Sequence, residues 1–185
     1  MEKRGEYIVE KLKELDYNKA NELVKVAFSN AEHSDHDEHN LIQRLRGEEL
    51  YNNDFEIVVK DKNDNNKIVG YALLSEIKIC KNESTPPFKA VCLAPIAVLP
   101  SHQKQGIGKL LMKEIEEIAT KYRYPAISIL GSPNYYSKFG YVPSSNFNIN
   151  ATFDVPKEYY MIKPLFDNSL SNIEGLVYYQ KSFGI

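Results

Sequence analysis

The sequence predicts an α+β fold, with a central, mixed and mostly antiparallel sheet and helices on both faces. Three observations predict this class. Residues 55–79 carry the pattern of a β-hairpin, residues 107–122 carry apolar residues at helical spacing, and short strand-like segments lie before and after both. The resulting order is strand, two helices, a three-strand meander, helix, strand, helix and strand, a mixed order that is typical of α+β domains.

The first part of the chain predicts one strand and two helices. Tyr7 to Leu15 alternates in part and is predicted as the first strand. Asp16 is a favourable N-cap residue, and the helix after it is marked by apolar residues three and four positions apart. These residues are Ala20, Leu23, Val24, Ala27 and Phe28. Residues 29–37 are polar and predicted as a loop, and a short second helix ends near Gly47.

The middle of the chain predicts three strands joined by two turns. The hairpin turns at Lys62–Asn66, because Asn and Asp favour tight turn conformations. Asn82–Pro87 is the second turn, and Phe88–Leu99 pairs back as a buried strand. Pro100 ends that strand, because it has no N–H to donate to a sheet.

The remaining elements are predicted to be short. Ala126–Leu130 is a strand, and Gly131–Phe139 is a turn with a short helix that holds Tyr135 and Tyr136. Further strands are predicted at Val142–Asn150, Tyr159–Leu165 and Leu176–Lys181, with a polar loop at 167–175.

A strand, a glycine turn and a helix follow one another from Leu93 to Ala119, LAPIAVLPSHQKQGIGKLLMKEIEEIA. The helix is predicted from Gly106, because its apolar residues fall on one face. They are Ile107, Leu110, Leu111, Ile115, Ile118, Ala119 and Tyr122. The first amides of a helix lack internal partners and lie at the positive end of its dipole, and glycine lets a phosphate approach the backbone. The turn is therefore predicted to bind an anion.

Two common nucleotide motifs do not fit this turn. The mononucleotide loop needs a glycine five residues before its Gly-Lys pair and Ser or Thr after it, but Gln103 and Leu110 stand there. The dinucleotide fingerprint needs a third glycine where this chain has Leu111. What remains is the pattern Q-x-x-G-x-G, formed by Gln103, Gly106 and Gly108.

This pattern resembles the acyl-coenzyme A pyrophosphate loop of the GCN5-related N-acetyltransferases. The segment 55–70 resembles the second and third strands of that family, and LAPIAVLP resembles its fourth strand. GSPNYYSKFGY resembles an element of one bacterial branch, in which Gly-x-Pro-x-Tyr-Tyr leads into Phe-Gly-aromatic, and DVPKEYYMIKPL and GLVYYQKSF are also similar to that branch. The resemblance covers roughly residues 6–183 and implies a single N-acetyltransferase domain over residues 1–185.

The resemblance implies acetyl-CoA as co-substrate and assigns cofactor-binding residues to the turn. These residues are Gln103, Lys104, Gln105, Gly106, Ile107, Gly108 and Lys109. The family usually has glycine in place of Lys104, which is this chain's departure from the pattern. The resemblance also implies that the backbone amides of Ala97 and Val98, with Leu99 as a further contributor, polarise the thioester carbonyl.

The resemblance implies two catalytic candidates. Tyr136 precedes Gly140 by four residues, as does the family's tyrosine that protonates the departing thiolate. Its neighbour Asn134, with Ser132, is a candidate contact to coenzyme A. Glu76 lies late in the third strand, near the acceptor amine in this fold, and is the candidate general base. The alternatives for Glu76 are a surface charge, a base that acts through water, or no dedicated base.

Composition and charge exclude other classes of function. Hydrophobic residues make up 43% and charged residues 26% of the chain, with a net charge of -2 and no long basic run, so a nucleic-acid partner is not expected. No apolar run approaches the ~18 residues of a membrane span, and the N-terminus lacks a signal-peptide core. We therefore expect a cytoplasmic protein without membrane partners, whose cysteines Cys80 and Cys92 are buried free thiols.

Three functional hypotheses remain. The first is an enzyme that transfers acetyl from acetyl-CoA to a primary amine of a small molecule or peptide by direct attack. The second is a catalytically inactive acyl-CoA-binding sensor. The third is a metal-binding protein built on His33, His36 and His39, whose spacing of three places them on one helical face; a solvated polar loop or an acceptor-recognition loop is the alternative there. Pairing of the final strands in a homodimer stays open.

Overall fold

The computed structural model describes residues 6–31 and 34–185. Contacts within the chain define two compact units. The first unit lies within Met1–Leu74 and Ala94–Ile115, and the second comprises Ser75–Leu93 and Glu116–Ile185. The strands of each unit are mostly antiparallel, and helices connect successive strands along the chain. The predicted α+β class is therefore confirmed.

The elements follow the predicted order. The strands are β1 (Tyr7–Lys11), β2 (Glu56–Asp61), β3 (Lys67–Cys80), β4 (Phe88–Val98), β5 (Ala126–Leu130), β6 (Val142–Pro143), β7 (Ile149–Ala151), β8 (Tyr160–Pro164) and β9 (Gly175–Tyr178). The helices are α1 (Tyr17–Phe28), α2 (Glu38–Leu45), α3 (Ile107–Lys121) and α4 (Pro133–Tyr136).

In the first unit, β1, β2 and the first half of β3 form an antiparallel ladder. The first strand is shorter than predicted, because Glu14–Asp16 forms a 3-10 turn that leads into α1. Asp16 stands at the predicted N-cap position, but its side chain does not cap the helix. Its carboxylate instead accepts from Lys19 and Lys60, at 2.7 and 3.0 Å.

A buried ion pair ties α2 to the ladder of the first unit. Glu56 is fully buried, and its carboxylate accepts hydrogen bonds from Arg46, Tyr51 and Tyr71. Arg46 follows the last residue of α2 and also donates to Asn21 of α1 at 2.9 Å. Since every charge here has a partner, the group fixes both helices without leaving an uncompensated buried charge.

In the second unit, β4 and β5 are parallel and pair at Val91–Ile127 and Cys92–Ser128. β5 then pairs antiparallel with β8, and β8 with β6. The end of β3 pairs with β9, which pairs in parallel with β7. The core of this unit includes Ile77, Ile79, Ala90, Cys92, Ala126, Ile149, Tyr160, Ile162 and Val177.

Two strand predictions in the second unit are wrong in extent. Val142–Asn150 is not one strand, because a 3-10 turn at Ser144–Phe147 separates β6 from β7. Pro143 has no N–H for a ladder, and Asn148 adopts a left-handed conformation with φ +56°. The predicted strand at Leu176–Lys181 starts one residue earlier and ends at Tyr178, before a short 3-10 turn.

The cysteines and the helices bear on the remaining sequence predictions. Cys92 is a buried free thiol as predicted, while Cys80 is only half-buried. Within residues 6–31 and 34–185, none of the helices has the length and the apolar content that crossing a bilayer requires.

Candidate functional site

The glycine turn of the first unit joins β4 to α3. Pro100–His102 forms a 3-10 turn, Gln103 is extended, and the chain then passes through left-handed conformations at Lys104 and Gly106. The N–H of Leu110 donates to the carbonyl of Gly106 at 3.1 Å, which opens the hydrogen-bond series of α3. The amides of Ile107 to Lys109 therefore form the free N-terminus of a 15-residue helix, where an anion is stabilised.

Side chains of the turn hold its shape. The Gln103 amide nitrogen reaches back to the carbonyl of Val98 at 3.4 Å. The Gln105 side chain donates to the carbonyl of Ser101 at 3.2 Å and accepts from the Tyr7 hydroxyl at 2.5 Å. Both glutamines thus connect the turn to the strands and loop beside it, while residues 103–106 are exposed.

Lys104 and Gly106 show why this turn favours glycine. Lys104 has φ +62° and Gly106 has φ +88°, both in the left-handed region. A Cβ on Gly106 would meet no atom within 4 Å, so the backbone conformation, and not crowding, is the reason for glycine there. Lys104 bears the conformational cost of ~1–2 kcal/mol for a residue with a side chain in the left-handed region.

Gly70 allows close packing of α3 on β3, a contact that the sequence did not predict. A Cβ on Gly70 would lie 2.6 Å from Cγ2 of Ile107 and 3.3 Å from Cδ1 of Leu111. The missing side chain therefore lets the first turn of α3 pack closely on β3. A glycine inside a strand pattern is the available signal, since it often marks a close approach of another element.

The end of β4 offers backbone donors near the turn. The N–H of Leu99 already donates to the carbonyl of Val69 on β3, at 3.0 Å. Ala97 is buried and Val98 is half-buried. Successive N–H groups of a strand point to opposite edges, so the N–H of Val98 is directed away from the edge that Leu99 uses.

Tyr136 ends α4 in the second unit, and its ring lies on the backbone of Gly131. A Cβ on Gly131 would be 2.3 Å from Cε2 of Tyr136. Burial, with a smaller contribution from Tyr135, raises the pKa of Tyr136 well above that of an ordinary phenol. The phenol therefore keeps its proton near neutral pH and can donate a hydrogen bond. Asn134 and Ser132 are exposed on the same segment.

Glu76 lies in the second unit and is 8% exposed, so its interpretation as a surface charge is wrong. The Tyr124 hydroxyl donates to one carboxylate oxygen at 2.8 Å, and Nζ of Lys89 lies 3.0 Å from the other. Tyr124 precedes β5, whereas Tyr136 follows it, and a five-residue strand is about 17 Å long. Its role as general base stays a prediction.

The histidine loop shows no metal site in the part that is described. Nδ1 of His36 lies 2.7 Å from the carbonyl oxygen of Phe28, and its backbone has φ +61°. His39 is in α2, and His33 lies outside the described residues. Among the described residues, no three His, Cys, Asp or Glu side chains are grouped to hold a metal ion.

Comparisons with known proteins agree on one family. The profile of the acetyltransferase (GNAT) family matches residues 17–141. The chain is 25% identical over 120 residues to an uncharacterized N-acetyltransferase, YhbS, of Escherichia coli (strain K12), which covers 65% of the chain and 70% of the relative.

Solved structures share the fold. The E. coli YhbS structure in complex with CoA has a TM-score of 0.85 and 22% identity, over 98% of this chain and 93% of the relative. A GNAT family acetyltransferase from Brucella melitensis in complex with acetyl-CoA has a TM-score of 0.76 and 20% identity, over 97% and 99% of the two chains. At these identities the likeness concerns the fold.

Proposed function

Because the chain belongs to the acetyltransferase (GNAT) family, we propose that it transfers the acetyl group of acetyl-CoA to a primary amine, which attacks the thioester directly in a ternary complex. The observation that carries this proposal is the glycine turn before α3, whose left-handed Lys104 and Gly106 present the first amides of the helix. Two structural relatives are complexes with CoA and with acetyl-CoA, which supports the same co-substrate here.

The turn is proposed to hold the pyrophosphate of the coenzyme. Backbone amides from Gln105 to Lys109 are the donors, at the positive end of α3. Gln103 and Gln105 keep the turn in shape through their bonds to Val98 and Ser101. Lys104 and Lys109 add positive charge beside the phosphates.

A backbone donor of β4 is proposed to polarise the thioester carbonyl. Val98 is the preferred donor, because its N–H is directed away from the edge at which Leu99 donates to Val69. The same alternation directs the N–H of Ala97 toward the edge that Leu99 uses, so Ala97 is not proposed as a donor, and Leu99 contributes its side chain. A donor fixed in a strand needs no reorganisation as negative charge develops on the carbonyl oxygen.

Tyr136 is proposed to protonate the leaving group. The amine nitrogen attacks the carbonyl carbon, a C–N bond forms, and the C–S bond breaks with its electron pair on sulfur. The thiolate takes the phenolic proton, and the phenolate recovers a proton from solvent. Burial keeps Tyr136 protonated beforehand, and Asn134 and Ser132 are proposed contacts to the coenzyme on the same segment. The proton of the amine passes to a base or to water.

Coenzyme binding and turnover test this proposal separately. CoA at about 100 times its dissociation constant should raise the free energy of unfolding by ~2.7 kcal/mol, measured as a thermal shift. Thiol release from acetyl-CoA is then followed with a panel of polyamines, amino sugars and lysine peptides. Tyr136→Phe should lower kcat by ~10²–10⁴ while the CoA shift remains. Binding without turnover of any amine would favour an acyl-CoA-binding sensor, and absence of a shift would contradict both.

A further inference from the structure

Tyr141 provides the buried contact of the segment that carries Tyr136. α4 has only four residues, and the side chains of Asn134, Ser137 and Lys138 around it are exposed. Tyr141 is 1% exposed, and its ring meets that of Tyr136 edge to face, with centroids 6.0 Å apart. The N–H of Tyr141 also points to the carbonyl of Tyr136 at 3.4 Å. The position of Tyr136 therefore depends on Tyr141.

The hydroxyl of Tyr141 makes no stabilising hydrogen bond among the described residues. It is buried, and within the described residues it has no hydrogen-bond partner. A phenylalanine would fill the same space without the cost of ~1–3 kcal/mol that a buried, unpaired hydroxyl carries. A hydroxyl retained at that cost indicates a partner that it meets in some state of the protein.

Glu116 of α3 supplies the complementary atom. Its Oε2 accepts a hydrogen bond from Nζ of Lys163 at 2.7 Å, whereas its Oε1 is buried and, within the described residues, unpartnered. The same Nζ of Lys163 lies 6.0 Å from the centroid of the Tyr141 ring, which places the carboxylate and the phenol around one ammonium group. Burial first, and the charge of Glu116 second, raise the pKa of Tyr141. The Tyr141 hydroxyl is thus a buried donor, and Glu116 Oε1 a buried acceptor, without a hydrogen-bond partner among the described residues of the second unit.

We propose that Tyr141 is a positioning residue for Tyr136, fixed by one internal water that bridges its hydroxyl and Oε1 of Glu116. Lys163 completes the group on β8, where a Cβ on Gly140 would lie 3.5 Å from its Cε. The group joins the Tyr136 segment to α3 and to β8. This inference rests on the proposed function, because it concerns the proton donor of that reaction.

The expected effect falls on turnover and acts through Tyr136. Tyr141→Phe keeps the ring and removes the hydroxyl, and Glu116→Gln removes the charge. Each should lower kcat for thiol release from acetyl-CoA, measured with the most active amine of the panel, by about tenfold, with KM for acetyl-CoA within about twofold. In a Tyr136→Phe background, Tyr141→Phe should cause no further loss. Tyr178→Phe, at a phenol that is 49% exposed on β9, is the matched control and should change nothing.

A second measurement needs no turnover. Hydrogen exchange of residues 132–141 in the free protein should be faster in Tyr141→Phe and Glu116→Gln than in the parent and the Tyr178→Phe control. The inference is overturned if both variants leave exchange and amine-dependent thiol release unchanged, or if Tyr141→Phe costs the same factor with and without the Tyr136 hydroxyl. Failure of the CoA thermal shift would instead contradict the proposed function, while the exchange measurement still tests the water bridge.

Discussion

The ring of Tyr136 lies directly on the backbone of Gly131, so that a Cβ added to Gly131 would be 2.3 Å from Cε2 and 2.9 Å from Cδ2 of the tyrosine. The two residues stand at either end of the short segment that follows β5. The absence of a side chain at position 131 therefore sets where the phenol lies.

Gly131→Ala is expected to displace Tyr136 and to lower turnover without loss of coenzyme binding. Since a misplacement of about 1 Å can cost about 100-fold in rate, we expect kcat for thiol release to fall by one to two orders of magnitude. The CoA thermal shift should stay within experimental error of the parent. Gly47→Ala, where the added Cβ would lie 3.3 Å from a carbonyl oxygen, controls for the Gly→Ala change itself. Unchanged kcat in Gly131→Ala would contradict the role of this contact.

Lys104 allows conformation and charge to be separated. Lys104→Gly and Lys104→Ala both remove the ammonium, but only glycine adopts φ +62° without steric cost. We expect the glycine variant to exceed the alanine variant by about 1 kcal/mol in free energy of unfolding, and to bind CoA more tightly. Urea unfolding and a CoA titration measure the two effects. Equal stability and affinity in both variants would show that the left-handed conformation carries no cost here.

The sequence predicted elements whose signals are local. Ala126–Leu130 is correct at both ends, and the turn before α3 is where the glycines indicated. The break within Val142–Asn150 was missed, because a left-handed Asn148 has no apolar pattern of its own. Gly70 was missed since its partner, Ile107, is distant in sequence.

Candidate site residues could likewise be predicted where their surroundings are local in sequence, and not where they are distant. The turn residues could be predicted, because neighbouring glycines in the sequence indicate their backbone conformation. The surroundings of Glu76 could not, because they are formed by residues that are distant in sequence. Tyr124, 48 positions along the chain, donates to its carboxylate, and Gln180 donates to its carbonyl oxygen at 3.1 Å. No periodicity in the sequence near residue 76 indicates such contacts. The interpretation of Glu76 as a surface charge followed from the sequence and is wrong, because the side chain is buried.

Cys92 should make the free energy of unfolding decrease as the pH rises in the alkaline range. Burial raises the pKa of its thiol to about 12, while the unfolded chain exposes a thiol with a pKa of about 8.5. The folded state holds the proton more tightly, so this contribution is complete below about pH 8.5 and is lost as the pH rises toward 12. The slope approaches ~1.4 kcal/mol per pH unit.

Urea unfolding between pH 8 and 10.5 measures this contribution. Cys92→Ala should show a shallower decline of the free energy of unfolding with pH than the parent, whatever its absolute stability. Cys80→Ala, at the half-buried second thiol, controls for the removal of a cysteine. Identical slopes in the parent and Cys92→Ala would mean that the thiol does not titrate differently in the two states.

Glu76→Gln separates a structural ion pair from a general base. The carboxylate is held by Tyr124 at 2.8 Å and by Lys89 at 3.0 Å, beside the start of β5. Tyr136 lies beyond the other end of that strand. We therefore expect the variant to lose about 1–2 kcal/mol in free energy of unfolding, because a charge-assisted hydrogen bond and an ion pair are weakened. A purely structural carboxylate would leave turnover within about threefold of the parent.

Tyr124→Phe is the matched variant, since it removes the other half of the same hydrogen bond. The double variant should lose less stability than the sum of the two single losses, because one interaction is counted in both. Denaturant unfolding measures the structural role, and pH–rate profiles of kcat/KM measure the role as general base. A fall in kcat of more than about 100-fold at unchanged stability, with loss of the acidic limb of the profile, would instead identify Glu76 as the base.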